Sequence, residues 1–303
     1  MEGGALSNAF LYLVTILIWG STWFAIEFQL GVVEPEVSVS YRYLAASGIL
    51  FLWIKIKSLP VKFDVNSHKW FALMGLLMFC LNYILAYRAQ IYITSALSAV
   101  AFTAMLWMNI LNSRLFFGVR VGARVYIGAL LGVAGIGALF GPQIRDVSFS
   151  DGMFLGSVLA VVGAFMASLG NMASQAAQEK RLPVVQSNAW SMLYGGLFTA
   201  VIAVAQGQQF TFDPSAGYVI SLAYLTIFGS VIAFGAYLTL LGRIGAHKAG
   251  YASVMFPVVA LVFSTLFEGL ALDVYILFGV SLVIAGNLLV LTRSAKSRAT
   301  TAQ

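Results

Sequence analysis

Residues 9–26 read AFLYLVTILIWGSTWFAI, an apolar run in which no charged side chain occurs. A helix needs roughly 20 mostly apolar residues to cross the hydrocarbon core of a bilayer, and this run approaches that length. The segment ahead of it contains Glu2 and no basic residue, so it lacks the positive region of a cleaved signal peptide. We therefore predict that residues 8–27 form a first membrane-spanning helix that is retained.

Similar apolar runs continue along the whole chain of 303 residues, which is 60% hydrophobic and 9% charged, with a mean hydropathy of +0.91. This composition excludes an ordinary soluble globular protein. Prolines and other turn residues separate the runs. The predicted spans are 8–27, 36–56, 68–88, 92–113, 122–140, 152–173, 184–205, 217–240, 248–267 and 272–292. The predicted fold class is all-α integral membrane with ten transmembrane helices.

Lysine and arginine gather in alternate loops between these spans. With the N-terminus in the cytoplasm, two basic residues, Arg88 and Arg145, fall outside and fourteen fall inside. The inside set is Lys55, Lys57, Lys62, Lys69, Arg114, Arg120, Arg124, Lys180, Arg181, Arg243, Lys248, Arg293, Lys296 and Arg298. The acidic residues that face outward are Glu34, Glu36, Asp146, Asp151, Asp213 and Asp273. Because short cytoplasmic loops are enriched in Lys and Arg, we predict a multi-pass protein of the bacterial inner (plasma) membrane with both termini cytoplasmic.

The two halves of the chain repeat one another at an offset of 151 residues. The matching pairs are Ile93 with Ile244, Ala96 with His247, Ala101 with Ala252, Gly118 with Gly269, Gly128 with Gly279, and Gly135 with Gly286. Each half carries five spans, and an odd number makes the halves enter the membrane from opposite sides. The sequence therefore predicts two inverted-topology five-helix repeats, residues 1–143 and 144–303, which is a transporter's architecture. The pairs Gly128 with Gly132 and Gly279 with Gly286 favour close helix packing, either between the repeats or in a dimer.

Three groups of residues resemble the EamA-type drug/metabolite transporter superfamily, and the resemblance covers essentially the full chain. They are Ile18-Trp19-Gly20-Ser21-Thr22, Arg42 with Ala45, and Phe256-Pro257 followed by Leu266-Phe267-Glu268-Gly269. Within that superfamily, Leu106-Trp107 and Trp19 look most like the YddG-type exporters of aromatic amino acids and methyl viologen. The resemblance implies two EamA-like repeats and a central cavity lined by helices 1–4 and 6–9, with helices 5 and 10 set apart.

The predicted substrate-binding residues lie inside the spans and are aromatic, amide, thioether or proline-associated. They are Trp19, Asn82, Tyr83, Phe102, Met105, Trp107, Ser253, Phe256 and Pro257. Rings at this depth either bind aromatic or cationic ligands or pack against the core and lipid. Pro257 leaves the carbonyl of Ser253 without its helical donor, and that group either lines a midplane site or bonds to a neighbouring helix. Asn82 and Asn109 likewise either face a cavity or bond between helices.

Asn171 and Arg42 are predicted to act in gating or packing. Asn171 lies toward the cytoplasmic end of its span and is a candidate for an inner gate. Arg42 lies well inside its span, about two turns from the outer end, where it can bind a substrate carboxylate, pair with Glu27 or reach outward to the membrane surface. We expect pairing or outward reach. Because no Asp or Glu lies near the middle of a predicted span, the sequence contains no visible carboxylate relay for proton coupling.

The sequence predicts a transporter and not an enzyme, with no metal and no cofactor. It has no catalytic constellation within the spans and no GxxxxGK[ST] phosphate loop, and its single cysteine, Cys80, lies in an apolar run. The expected partners are a small-molecule substrate and the lipid bilayer, with no nucleic acid and no obligate protein partner. The leading hypothesis is export of aromatic or large apolar amino acids and related metabolites by alternating access, without ion coupling. The alternative is an exporter of organic cations or drugs such as methyl viologen, with proton coupling left open. A channel is a further class, which sustained conduction would distinguish.

Overall fold

The computed structural model describes residues 7–145, 151–267 and 274–291. Within these ranges the chain is helical and contains no β-strand, so the expectation of an all-α fold is confirmed for them. The helices are α1 Asn8–Glu27, α2 Pro35–Ile56, α3 Val65–Gln90, α4 residues 95–117, α5 Ala123–Arg145, α6 Asp151–Glu179, α7 Val184–Ala205, α8 Ala216–Ile244, α9 Ala252–Phe267 and α10 Val274–Leu291. A single helical turn, Ala246–Ala249, precedes α9. The predicted features that lie outside the described residues are Asp146, Glu268, Gly269, Asp273, Arg293, Lys296 and Arg298.

Seven helical stretches of the described residues are long and apolar enough to cross a membrane by length and composition. They lie in α1, α2, α3, α4, α6, α7 and α8, while α5 and α10 contribute the shorter apolar stretches Ala123–Ala138 and Leu277–Val290. Large apolar side chains cover the exterior, as at Leu13, Leu17 and Val201, which are 52%, 57% and 67% exposed. An exterior of this kind suits lipid as the solvent, because water would make such exposure unfavourable.

Helix starts and ends follow the turn chemistry of the sequence. Pro35 occupies the first turn of α2, where its missing N–H removes no helical bond. The Asp64 carboxylate caps α3 by accepting from the Ser67 backbone N–H at 3.0 Å, and the hydrogen bonds from Ser67 lower the pKa of that carboxyl. Gly118 ends α4 in the left-handed conformation, with φ of 65°.

The helices of the two halves fall at matching positions. Residues 75–81 of α3 and 225–232 of α8 both adopt wider π-helical turns, and at the offset of 151 residues the first stretch falls on residues 226–232 of the second. The starts of α5 and α10, at Ala123 and Val274, are separated by the same offset. π-Helical turns are rare and often lie at functional sites, and here they recur in α3 and α8.

The helices pack into a central group and a peripheral pair. In the central group α2 lies along α7, α1 contacts α8 and α9, and α3 and α4 contact α6. The peripheral pair is α5 and α10, which pack along each other and join the rest through α4 and α9. The described residues therefore enclose a core among α1, α3, α4, α6, α8 and α9.

Glycine permits the close approach of α5 and α10. A Cβ built on Gly128 would lie 2.8 Å from the Gly286 carbonyl oxygen, and one on Gly135 would lie 2.7 Å from the Gly279 carbonyl oxygen. In the sequence, the offset of 151 residues relates Gly128 to Gly279 and Gly135 to Gly286. In the structure the contacts are crossed, because Gly128 approaches Gly286 and Gly135 approaches Gly279. The small-residue pairs thus serve packing within the chain between its two halves.

We expect Gly128→Ala to lower stability by about 1–3 kcal/mol, because the new methyl group overlaps backbone that cannot move aside. Gly137 lies in the same helix with no atom within 4 Å of its would-be Cβ, so Gly137→Ala is the matched control. The control should leave stability unchanged or raise it by less than about 1 kcal/mol, since alanine favours helix. Thermal unfolding of both variants in detergent, followed by tryptophan fluorescence, measures the difference. Equal melting temperatures for the two variants would contradict this account of the α5–α10 contact.

Candidate functional site

A cavity lies at the centre of the helical bundle between α1, α3, α4, α6, α8 and α9. Its lining residues are Trp19, Thr22, Trp23, Ile26, Met78, Asn82, Tyr83, Ala86, Phe102, Met105, Ala167, Asn171, Phe234, Tyr237 and Phe256. On α1 the lining positions are spaced by three and four residues, which places them on one face of that helix. α2 and α7, which the family resemblance implied as lining helices, contribute none of these residues.

The cavity is narrow in this conformation. A water-sized sphere can reach about 50 Å³ of it, which is room for about four waters at 10–15 Å³ each. An aromatic amino acid does not fit into that space. The lining helices must therefore move apart before this cavity can hold a solute of that size.

Trp19 forms the aromatic centre of the cavity. Its ring centroid lies 4.7 Å from that of Phe234, 4.9 Å from that of Tyr237 and 5.8 Å from that of Phe256. Its indole N–H donates to the Gly229 carbonyl at 3.0 Å, so the ring is held in a fixed direction. The ring contacts are edge-to-face or tilted, the arrangements that aromatic pairs prefer.

Amide side chains supply the polar part of the lining. The Asn82 amide N–H donates to the Met78 carbonyl at 3.1 Å, while its Oδ1 is buried without a partner. Oδ1 is therefore an acceptor left over for a ligand or for water.

Asn171 lies at the other end of the cavity. Its amide donates to the Tyr237 hydroxyl at 2.9 Å and to Asn109 Oδ1 at 3.2 Å. These bonds tie α6 to α4 and α8, so Asn171 connects three of the helices that line the cavity. The position is compatible with the predicted inner gate, and the gating role itself stays a prediction.

Arg42 lies behind the cavity wall and does not behave as expected. Its side chain is fully buried at 0% exposure, so it neither reaches the membrane surface nor pairs with Glu27. Its Nε donates to Ser230 Oγ at 2.8 Å, and its guanidinium carbon lies 4.6 Å from the centroid of the Tyr83 ring. The expectation of pairing or outward reach is wrong because α3 and α8 cover this face of α2.

The structure brings seven of the predicted site residues to the cavity: Trp19, Asn82, Tyr83, Phe102, Met105, Phe256 and Asn171. It leaves Trp107, Ser253 and Pro257 outside the lining. The Trp107 ring lies on the side of α4 that faces α5, 6.4 Å between centroids from Tyr126. The Ser253 hydroxyl donates to the Gly250 carbonyl at 2.8 Å, and Pro257 is buried in the interior of α9.

Phe234 and Tyr237 complete the aromatic wall and are not among the site residues predicted from the sequence. Both could have been found from the repeat, because Phe234 follows Tyr83 and Tyr237 follows Ala86 by the offset of 151 residues. Phe256 follows Met105 by the same offset. Three pairs of residues at this offset thus line the cavity.

An ion pair in which only the carboxylate is fully buried joins helix ends at the predicted outer side of the bundle. The Arg88 guanidinium donates to both carboxylate oxygens of Glu36, Nε to Oε1 and Nη2 to Oε2, at 2.9 Å each. Gln208, in the segment after α7, donates to the same carboxylate at 2.8 Å. This contact links α2 and α3 of the first half to the second half.

Comparison with known proteins relates the whole chain to transporters. The model of the EamA-like transporter family matches residues 6–141 and 154–292. The inner membrane transporter YedA of Escherichia coli K12, described as uncharacterized, is 28% identical over 286 residues, covering 90% of this chain and 89% of the relative. The transporter YoaV of Bacillus subtilis, also described as uncharacterized, is 25% identical over 280 residues, covering 89% and 91%. A solved crystal structure matches with a TM-score of 0.76 and 18% identity over 94% of this chain and 96% of the other, which shows a shared fold.

Proposed function

Because this chain belongs to the EamA-like transporter family and is a multi-pass inner-membrane transporter, we propose that it exports aromatic or large apolar amino acids and related metabolites. The observation that carries this proposal is the central cavity built around Trp19, Phe234, Tyr237 and Phe256. Such rings favour a flat apolar side chain, while Asn82 Oδ1 offers an acceptor to an ammonium group. The same proposal includes a function like that of the YddG-type exporters and transport of the solute out of the cell.

The proposed mechanism is alternating access by two inverted five-helix repeats, residues 1–143 and 144–303, with ten membrane spans and cytoplasmic termini. Three features support it: the coincidence of the π-helical turns, the reciprocal glycine contacts of α5 and α10, and the repeat-related lining pairs. The two stretches matched by the family model agree with such a division. The narrow cavity also supports it, because a solute then enters only when one repeat rocks against the other.

Transport is proposed to be uncoupled from protons. Among the residues that the structure describes, the cavity lining contains no Asp, Glu or His that could take up a proton during the cycle. An electrochemical gradient of the solute itself then supplies the driving force. This feature separates the proposal from a proton-coupled drug exporter.

The test is uptake of radiolabelled phenylalanine, tryptophan and leucine into proteoliposomes that hold the purified protein, with and without an imposed pH gradient. We expect saturable uptake that a pH gradient does not change and that protein-free liposomes do not show. Methyl viologen is added as a competitor, and it should not inhibit. Absence of amino-acid uptake by folded protein, with uptake of methyl viologen instead, would replace this proposal by the cation exporter. Sustained ionic conduction would replace it by a channel.

A further inference from the structure

Arg42 carries a buried charge that is unpaired among the described residues. Its Nε and Nη1 bond to Ser230 Oγ and the Tyr87 hydroxyl, whereas its Nη2 is buried and has no hydrogen-bond partner. Both ion pairs that occur among the described side chains belong to Arg88. A guanidinium removed from water requires an opposite charge and acceptors for its N–H groups. Among the described residues this one lacks the opposite charge, and its Nη2 lacks an acceptor.

The free Nη2 lies against the wall of the central cavity. The position that a Cβ would take on Gly229 is 3.0 Å from Arg42 Nη2 and 3.0 Å from Thr22 Cγ2, and Thr22 lines the cavity. The guanidinium carbon also lies 4.6 Å from the ring centroid of Tyr83, another lining residue. Arg42 is therefore one layer behind the lining, separated from the cavity by side chains that can rotate.

We propose that Arg42 is the receptor for a carboxylate group of the transported solute, reached past Thr22 and Tyr83 when the cavity opens. This rests on the proposed function of the cavity as the transport site. A guanidinium presents paired N–H donors that match the two oxygens of a carboxylate. Tyr43 lies beside it, with its ring centroid 5.3 Å from the guanidinium carbon and a buried hydroxyl that has no partner. That hydroxyl is a second donor for the same group.

The same charge argues against an organic cation as the solute. In the low dielectric of a buried site, a cation held among Trp19, Phe234 and Tyr83 would be repelled by Arg42. A zwitterionic amino acid places its carboxylate at Arg42 and its side chain among the rings. The faces of Tyr43 and Tyr83 stabilise the guanidinium when the cavity is empty.

Ligands that differ only in the carboxylate test the assignment. The probes are 3-phenylpropanoate and its uncharged amide, together with L-phenylalanine and phenethylamine. Binding is measured by the ligand-dependent rise in melting temperature of the purified full chain in a buffer without chloride. The proteins are wild type, Arg42→Gln, Arg42→Lys and, as a matched control, Arg120→Gln in the exposed segment after α4.

We expect wild type and Arg120→Gln to bind each carboxylate ligand about 10- to 100-fold more tightly than the matched ligand that lacks the carboxylate. This ratio corresponds to the free energy of a charge-assisted hydrogen bond. Arg42→Gln should lose this preference while still binding the amide. Arg42→Lys should keep only part of it, because an ammonium group lacks the paired donors. If Arg42→Gln does not fold, Arg42→Lys carries the comparison, and full preference in that variant overturns the proposal.

Other outcomes separate this proposal from the proposed function. Binding of 3-phenylpropanoate that depends on Arg42, without amino-acid uptake in proteoliposomes, would uphold the carboxylate receptor and reject the amino-acid exporter. Amino-acid uptake with an unchanged carboxylate preference in Arg42→Gln would uphold the exporter and overturn the receptor. Chloride that stabilises the wild type through Arg42 and does not compete with 3-phenylpropanoate would also overturn it, because a resident halide would then be the counter-ion.

Discussion

Trp19→Ala is expected to reduce the initial rate of amino-acid uptake at least about tenfold per folded protein, as a loss of about 1.4 kcal/mol in solute binding would do. The substitution removes the ring that contacts Phe234, Tyr237 and Phe256 and leaves the Gly229 carbonyl without its donor. Loss of a buried tryptophan also costs stability, about 3–5 kcal/mol in well-packed cores. Uptake is therefore normalised to the monodisperse fraction recovered by size exclusion.

Trp107→Ala is the matched control for this prediction. It deletes the same ring from a half-buried position that faces Tyr126 and not the cavity. We expect uptake by this variant to remain within about twofold of wild type, whatever its effect on the melting temperature, since its ring packs against Tyr126 and does not line the cavity. A larger transport defect in Trp107→Ala than in Trp19→Ala would mean that the solute does not pass through the central cavity.

Substitutions in the ion pair between Arg88 and Glu36 are expected to have the second large effect, on stability. This pair lies at the predicted outer ends of the helices, and its two partners are unequally buried. The Glu36 side chain is 1% exposed, whereas that of Arg88 is 35% exposed. Arg88→Gln leaves a buried carboxylate without its counter-charge and should lower stability by about 3 kcal/mol. Glu36→Gln leaves a guanidinium that water can reach, and should lower stability by about 1 kcal/mol.

Thermal unfolding of the two single variants and the double variant in detergent measures this asymmetry. The double variant should be more stable than Arg88→Gln, because it removes the stranded carboxylate. Equal losses of stability in the two single variants would indicate that Glu36 is hydrated in solution and that its contact with Arg88 does not hold the ends of α2 and α3 together.

The sequence predicted the helices well because their signals are local. Apolar runs of membrane length, prolines at first turns and a glycine at a helix end lie within the segments that they define, and the bounds in the structure agree with them to within several residues. The offset of 151 residues also carries information about the site, because it relates Tyr83 to Phe234 and Met105 to Phe256. The site residues were predicted from side chains within single spans and not from this offset, so the prediction contains only part of the aromatic wall.

Trp107 shows that the depth of a residue along a span does not predict which side of the helix it occupies. Phe102 and Met105 are three residues apart and share the cavity face of α4, but Trp107 is two residues beyond Met105, about 200° further around the helix at 100° per residue. In a soluble protein, an apolar stripe would identify the side of a helix that faces the core. These helices are apolar on all sides, because lipid and core are both apolar, so the pattern does not distinguish the two faces.

The sequence by itself determined that the chain is helical and apolar enough for a membrane and where its helices begin and end to within several residues, and from these bounds it predicts how deep each side chain lies. Only the tertiary structure decided which face of each helix meets the cavity, and that Arg42 is enclosed between α2, α3 and α8 without a carboxylate among the described residues. The physical reason is that depth depends on distance along one helix, whereas rotation about the helix axis depends on contacts with helices far away in the sequence.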